Sequence, residues 1–208
     1  MKRTRAIAIL GLAATLFGGA APAAAQPLVA LPTRSIPAAT VGEARAVFGW
    51  VNFCQRYAHE CVFSPSEPAS IALSPRTWQL IVSVNRKVNA DVQPLSDQDH
   101  WGAADRWDLP GDGMGDCEDY QLLKRKLLAE AGLPRRAMRI TVVIDEKGEG
   151  HAVLMLRTDR GDIILDNKTN DILPWHDTGY IYVKREGQEG PAWVSLGGVS
   201  SPMITANR

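Results

Sequence analysis

The sequence has no surplus of either charge: 23 Lys and Arg balance 23 Asp and Glu over 208 residues. Without a basic surplus, it lacks the electrostatic footprint of a nucleic-acid binder. Long apolar runs are missing after residue 25. None approaches the roughly 20 residues a helix needs to cross a bilayer, which excludes helical insertion past that point. With 45% hydrophobic residues the chain is nevertheless too apolar to be intrinsically disordered. Cysteine and histidine are scarce, three and four in all, so each one can be weighed singly.

The charge balance hides a leader. Lys2, Arg3 and Arg5 precede an apolar run from Ala6 to Phe17, and small residues follow, ending Ala23-Ala24-Ala25. A basic start, an apolar middle and an A-x-A end describe a secretory signal peptide. Its removal takes away three cations and no acids, leaving a mildly acidic, exported chain. The expected location is the periplasm. Three divisions follow: residues 1–25 as signal peptide, 26–44 as an extended lead-in holding Pro27, Pro32 and Pro37, and 45–200 as a single domain.

Export exposes cysteines to an oxidising compartment, where they tend to pair. Cys54 and Cys61 are seven residues apart, close enough to close a local loop, and form the expected disulfide. The competing reading is two buried thiols. Cys117 is then left over, and a leftover thiol in an exported protein is a candidate for reactivity.

Hydrophobic periodicity gives helices first and strands second. Residues 43–53 suggest a short helix running into the cysteine loop. Ser74 can cap a helix with Pro75 at its first position, and Trp78, Ile81, Val82, Val84 and Val88 follow at mostly helical spacing. Residues 91–114, rich in Asp, Gly and Pro, read as a long irregular stretch. A second helix is expected from Asp116 or Cys117 to Ala131, stopped by Gly132. Strands are expected over 138–144, 151–158, 162–166, 180–184 and 192–196. This order indicates an α+β fold with N-terminal helices packed on an antiparallel sheet.

The glycine-rich segment Gly111-Asp-Gly-Met-Gly-Asp-Cys117 leads straight into the second helix. That places Cys117 at a helix N-terminus, exposed by its flexible approach, where unpaired N–H groups favour a thiolate. A nucleophile needs a base. His151 opens a strand, and Asp166 closes the next one. If residues 159–160 form a two-residue turn, Asp166 faces Val153 and lies diagonal to His151. A three-residue turn would break that parity. The order Cys117, His151, Asp166 fits a thiolate, a base and a carboxylate that fixes the base's tautomer. The bland alternative is a small buried Cys, a strand-end His and a turn-forming Asp.

Asp116, Glu118 and Asp119 crowd the same cysteine. As helix chemistry, Asp116 caps and the other two complement the dipole. As site chemistry they oppose the thiolate, because like charges raise its pKa. A bound Ca²⁺ would remove the conflict, since it takes clustered carboxylate oxygens. Asp97 and Asp99 could add ligands, but loop solubility explains them as well. Lys124-Arg-Lys126 reads as a solvated helix face, and the six tryptophans as core or cleft walls.

Several clusters together resemble the bacterial transglutaminase-like cysteine proteinase family. They are Gly115-Asp-Cys-Glu-Asp-Tyr120, Lys124-Arg125, Gly148-Glu-Gly-His151-Ala-Val153, Leu165-Asp166-Asn167 and Pro174-Trp175. Val84-Asn85 with Val88-Asn89, and Trp101-Gly102 with Trp107, also fit, so the likeness spans residues 45–196. It implies a papain- or transglutaminase-like core with Cys117 as nucleophile, His151 as base and Asp166 as orienter. For the LapG-type periplasmic proteases of this family it implies calcium held by Asp116, Glu118 and Asp119. It further implies a protein substrate such as a large cell-surface adhesin, cut at a di-alanine site to disperse biofilm, and an inner-membrane receptor as regulator. The Cys54–Cys61 pair departs from those members and points to a subgroup.

The expected chemistry is cysteine proteolysis through a thioester. The amides at the helix N-terminus would hold the oxyanion, with Trp78 or Gln79 as a second donor. The same triad would serve transglutaminase-type acyl transfer to an amine. A non-catalytic, secreted calcium-binding module is the third reading, and it expects Cys117 to be buried and unreactive.

Overall fold

The structure, a computed structural model, describes residues 30–198. The expected leader, the first four residues of the lead-in and the end of the domain past 198 lie outside the described residues. The strands are β1 (Gly42–Ala44), β2 (Gln93–Pro94), β3 (Met114–Gly115), β4 (Met138–Ile144), β5 (Gly150–Thr158), β6 (Gly161–Leu165), β7 (Leu173–Pro174), β8 (Ile181–Glu186) and β9 (Trp193–Ser195). The helices are α1 (Phe48–Arg56), α2 (Ala58–Cys61), α3 (Pro75–Asp91), α4 (Asp97–Trp101) and α5 (Cys117–Glu130). Seven strands form one antiparallel sheet in the order β1-β9-β8-β4-β5-β6-β7, and β2 and β3 form a separate parallel pair.

The α+β expectation holds. β4 matches its expected bounds because Ile140, Thr141, Val142, Val143 and Ile144 form a β-branched run. One face of the sheet packs Ile140, Val142, Leu154, Leu156, Ile163 and Leu165 against α1, α3 and α5 through Phe53, Ile81, Leu122 and Leu128. The other face carries Val143, Val153, Met155, Ile164 and Tyr182, covered in part by Ala38 of the lead-in. α3 starts as its sequence dictates: the Ser74 side chain accepts the Thr77 N–H at 3.1 Å, and Pro75 follows.

Some boundaries shift. Residues 42–44, read as lead-in and helix, instead pair with β9, and α1 begins only at Phe48. The stretch 91–114 is not wholly irregular, since it holds β2 and α4. The extended lead-in is tied down along its length: Ser35 N–H donates to Arg160 O at 2.8 Å, and Ala38 N–H to Asp162 Oδ2 at 2.8 Å. Cys54 and Cys61 are joined in a disulfide, which links α1 to α2.

The basic run on α5 departs most from expectation. Lys124 and Arg125 are buried, whereas Lys126 stays partly exposed beside Glu130. Arg125 Nη1 donates to both Glu186 oxygens, at 2.9 and 2.7 Å, and Nη2 donates to Glu60 O at 3.1 Å. Glu186 also accepts the Trp50 indole N–H and the Ile140 backbone N–H. Burial alone would raise the Glu186 carboxyl, but Arg125, Arg139 and the Ile140 N–H hold it below the usual range. Removing one partner of such a pair strands a charge in the core. Arg125→Met is expected to cost about 3–5 kcal/mol of unfolding free energy, read from urea melts. A loss under about 1 kcal/mol would place this pair among exposed ones in effect.

Candidate active site

The backbone around α5 explains where Cys117 comes to rest. β2 and its neighbour hold the glycine-rich lead: Gln93 N–H donates to Gly113 O at 2.8 Å, and Leu95 N–H to Gly115 O at 3.0 Å. Gly115 has no room for a side chain, because a Cβ there would lie 2.7 Å from an Asp119 oxygen. Cys117 is consequently the first residue of α5 and is buried, only 6% exposed, rather than exposed as its flexible approach suggested. Packing of α5 on β4 and β5 closes over it, and no local pattern announces that.

The thiol donates to Glu118 Oε2 at 3.0 Å, and the backbone N–H of Ala152, the residue after His151, is directed at the sulfur. Burial first, then the Glu118 and Asp116 charges, pushes the thiol well above its ordinary pKa, while the Ala152 N–H opposes them. The helix N-terminus therefore does not by itself lower this thiol, contrary to expectation.

His151 and Asp166 are in hydrogen-bond contact, Nε2 to Oδ1 at 2.9 Å, and both are buried. The register is the one a two-residue turn requires: Thr158 faces Gly161 and Leu154 faces Leu165, so Asp166 comes next, toward Val153. Asp166 is held on every side. Lys168 N–H donates to Oδ1 at 3.0 Å and the Tyr180 hydroxyl to Oδ2 at 2.7 Å. Its main-chain carbonyl accepts from Lys124 Nζ and Asn89 Nδ2, both at 2.9 Å. Burial would raise the Asp166 carboxyl, but His151, Tyr180 and Lys168 pull it down to about 2. Lys124 is brought down to about 7 by burial, against the pull of Asp166.

The acids beside Cys117 do not behave as simple helix-end groups. Asp116 is the N-cap of α5 but makes no capping bond with its side chain. Its Oδ2 accepts the Asp97 N–H at 3.2 Å instead, and its Oδ1 is buried with no hydrogen-bond partner among the described residues. Asp119 performs the local capping, accepting the backbone N–H groups of Asp108 and Asp116. Ligand atoms of Asp97, Asp105 and Glu118 lie within 4.8 Å of one another, as do those of Asp97, Asp116 and Asp119, and those of Asp116, Cys117 and Glu118. Asp97 is buried in this cluster, so loop solubility does not account for it, whereas Asp99 stays exposed and is bonded to Ser96. Burial and then Asp97 raise Asp116 to about 7. Burial and then Asp116 raise Glu118 and Asp119 well above the carboxylate range.

Five carboxyls from α4, the loop after it and the start of α5 thus gather in overlapping groups of three, all buried except the half-buried Asp105. The partnerless Asp116 oxygen and the all-oxygen carboxylate set fit a hard divalent cation such as Ca²⁺. Sequence reading missed Asp105, Asn89, Lys124 and Tyr180 as site neighbours. The Val88-Asn89 and Lys124-Arg125 pairs were visible signals, and Tyr180 at the start of a strand was not. Trp78, a candidate oxyanion donor, has its indole N–H engaged by Ala30 O at 2.7 Å, and Gln79 beside it is half-buried on α3.

The chain resembles known proteins in family and fold. No curated protein matches the chain. Among solved structures, calcium-bound LapG of Legionella pneumophila is similar, with 26% identity, a TM-score of 0.50, and 62% of this chain and 75% of that one covered. EGTA-treated LapG from the same organism is 28% identical over 57% of this chain and 67% of that one, at a TM-score of 0.49. The model of the bacterial transglutaminase-like cysteine proteinases (BTLCP) matches residues 40–201. With its sheet, its helix-heading cysteine and most of its length inside that match, the chain belongs to the bacterial transglutaminase-like cysteine proteinase family.

Proposed function

We propose that this protein is an exported, calcium-dependent cysteine protease that works through Cys117, His151 and Asp166. The observation that carries the reading is the buried His151–Asp166 pair, set at the start of the strand whose Ala152 N–H meets the Cys117 sulfur. Asp166 occupies Nε2, which leaves Nδ1 as the imidazole atom to take the thiol proton. The thiol turns from Glu118 to the imidazole, and the thiolate attacks the scissile carbonyl carbon. The first N–H groups of α5, which have no helical partner, face the developing oxyanion. Collapse expels the amine, which takes its proton from His151, and leaves a thioester on Cys117. His151 then deprotonates a water, which attacks the thioester and frees the acid and the thiol. Asp166 keeps the ring oriented and stabilises its charged form throughout.

Calcium would be held by Asp97, Asp105, Asp116, Glu118 and Asp119, and when bound supplies positive charge that offsets the carboxylates beside the sulfur. The likeness to a calcium-bound LapG supports this. The leader directs the protein to the periplasm. Its substrate is an exported protein such as a surface adhesin, with an inner-membrane receptor as a regulator.

The burial of Cys117 favours a second reading, a non-catalytic calcium-binding module. One assay separates the readings. Leaderless protein is incubated with candidate adhesin fragments and a fluorescent primary amine, in calcium and in EGTA, and the products are sequenced by mass spectrometry. Proteolysis gives a new N-terminus in calcium alone. Amine incorporation without cleavage would make the protein a transglutaminase, and no product with any fragment would leave the module.

A further inference from the structure

Tyr180 stands where no motif drew attention to it. It directly precedes β8, and β8 lies beside β4, three places from β6, which Asp166 directly follows. The start of β8, the end of β4 and the start of β5 meet at one end of the sheet, since Ile144 faces both Ile181 and Gly150. Gly179 turns the chain there with φ +76°, a left-handed conformation that side chains resist. The Thr178 hydroxyl then accepts the Tyr180 N–H at 3.3 Å, while bonding to Trp175 O and pairing with the Tyr182 hydroxyl. The Tyr180 side chain is thus aimed back across the sheet end.

Two contacts result. The hydroxyl donates to Asp166 Oδ2 at 2.7 Å, and the ring meets the His151 imidazole edge-on, with centroids 5.8 Å apart and planes at 80°. A carboxylate bound through one oxygen can still rotate about its Cβ–Cγ bond. Asp166 offers Oδ1 to His151 and to the Lys168 N–H, and Tyr180 fixes the other oxygen. The edge-on ring contact limits the swing of the imidazole. We propose that Tyr180 is a positioning residue of the Cys117–His151–Asp166 triad, locking the Asp166 carboxylate and the His151 ring in one mutual orientation. The proposal rests on the protease reading of the site. Substrate contact is a poorer role for this hydroxyl, because its proton is already committed to Asp166.

The test compares wild type, Tyr180→Phe, Tyr180→Leu and Cys117→Ala. Rates are measured with the calcium-loaded protein on an adhesin fragment that carries a di-alanine site. The His151 ring N–H is followed by proton NMR. Tyr180→Phe should lower kcat about tenfold, the worth of one hydrogen bond to a charged group, with KM changed less than twofold. Its His151 Nε2–H resonance should shift and exchange faster with solvent, and Tyr180→Leu should be worse in both respects. Turnover within twofold of wild type, or a loss confined to KM, overturns the proposal, as does an unchanged His151 resonance in Tyr180→Phe. If Cys117→Ala stays active, the protease reading fails by itself, and the resonance still decides whether Tyr180 sets the pair.

Discussion

Cys117→Ala will abolish cleavage, by on the order of 10⁴–10⁶ in kcat, while the protein stays folded. The variant deletes only a sulfur, whose contacts are Glu118 and the Ala152 N–H. Glu118 loses the thiol as a donor, but the His151–Asp166 pair and the sheet beneath it are unchanged. Activity therefore falls without a matching loss of stability. Asp166→Asn gives a graded companion. It keeps the shape but presents an amide to Nε2, so the ring holds the wrong tautomer, and kcat should drop about 10⁴-fold. Asparagine can also no longer accept as a carboxylate from the Tyr180 hydroxyl and the Lys168 N–H. The measurements are single-turnover cleavage rates and circular dichroism melts. Full activity in Cys117→Ala, or in Asp166→Asn, ends the triad reading. A parallel collapse of the melting transition in Asp166→Asn would assign that residue a structural role.

The fold was legible where local rules act alone. Gly132 ends α5 near its expected stop, and Ser74-Pro75 starts α3, because caps and stops are one-residue chemistry. The approach of His151 and Asp166 was legible because a two-residue turn fixes parity across a hairpin. Illegible features depend on partners far away in sequence. Lys124 and Arg125 look like surface charge until the Asp166 carbonyl and Glu186 are seen to receive them. Asp97 looks like loop solubility until α4 folds against the start of α5. The expectation of an exposed Cys117 failed for the same reason: flexibility of the preceding glycines says nothing of what packs over the helix they begin.

Calcium should speed alkylation of Cys117 by iodoacetamide at neutral pH about a hundredfold over EGTA. The thiolate is the species that reacts. A carboxylate 3.0 Å from the sulfur opposes its formation, and others share the same buried space. Burial and the charges of Glu118 and Asp116 together hold the thiol above its ordinary pKa. A divalent cation among the acids reverses most of that. The same acids set a pH signature for the metal-free protein. Asp116 is raised to about 7, above its unfolded value, so the folded state binds the proton more tightly. Stability contributed by that proton is present at low pH and is lost as pH rises from about 4 toward 7. Calcium binds the ionised carboxylates, so it restores stability over the range where the proton leaves. The gap in Tm between calcium and EGTA should accordingly be small at pH 5 and widen by pH 7.5. Asp97→Asn, remote from Cys117 in sequence, should raise the calcium concentration needed for both effects. Equal labelling in calcium and EGTA, together with a Tm gap that does not change with pH, would show that this carboxylate cluster works without a cation.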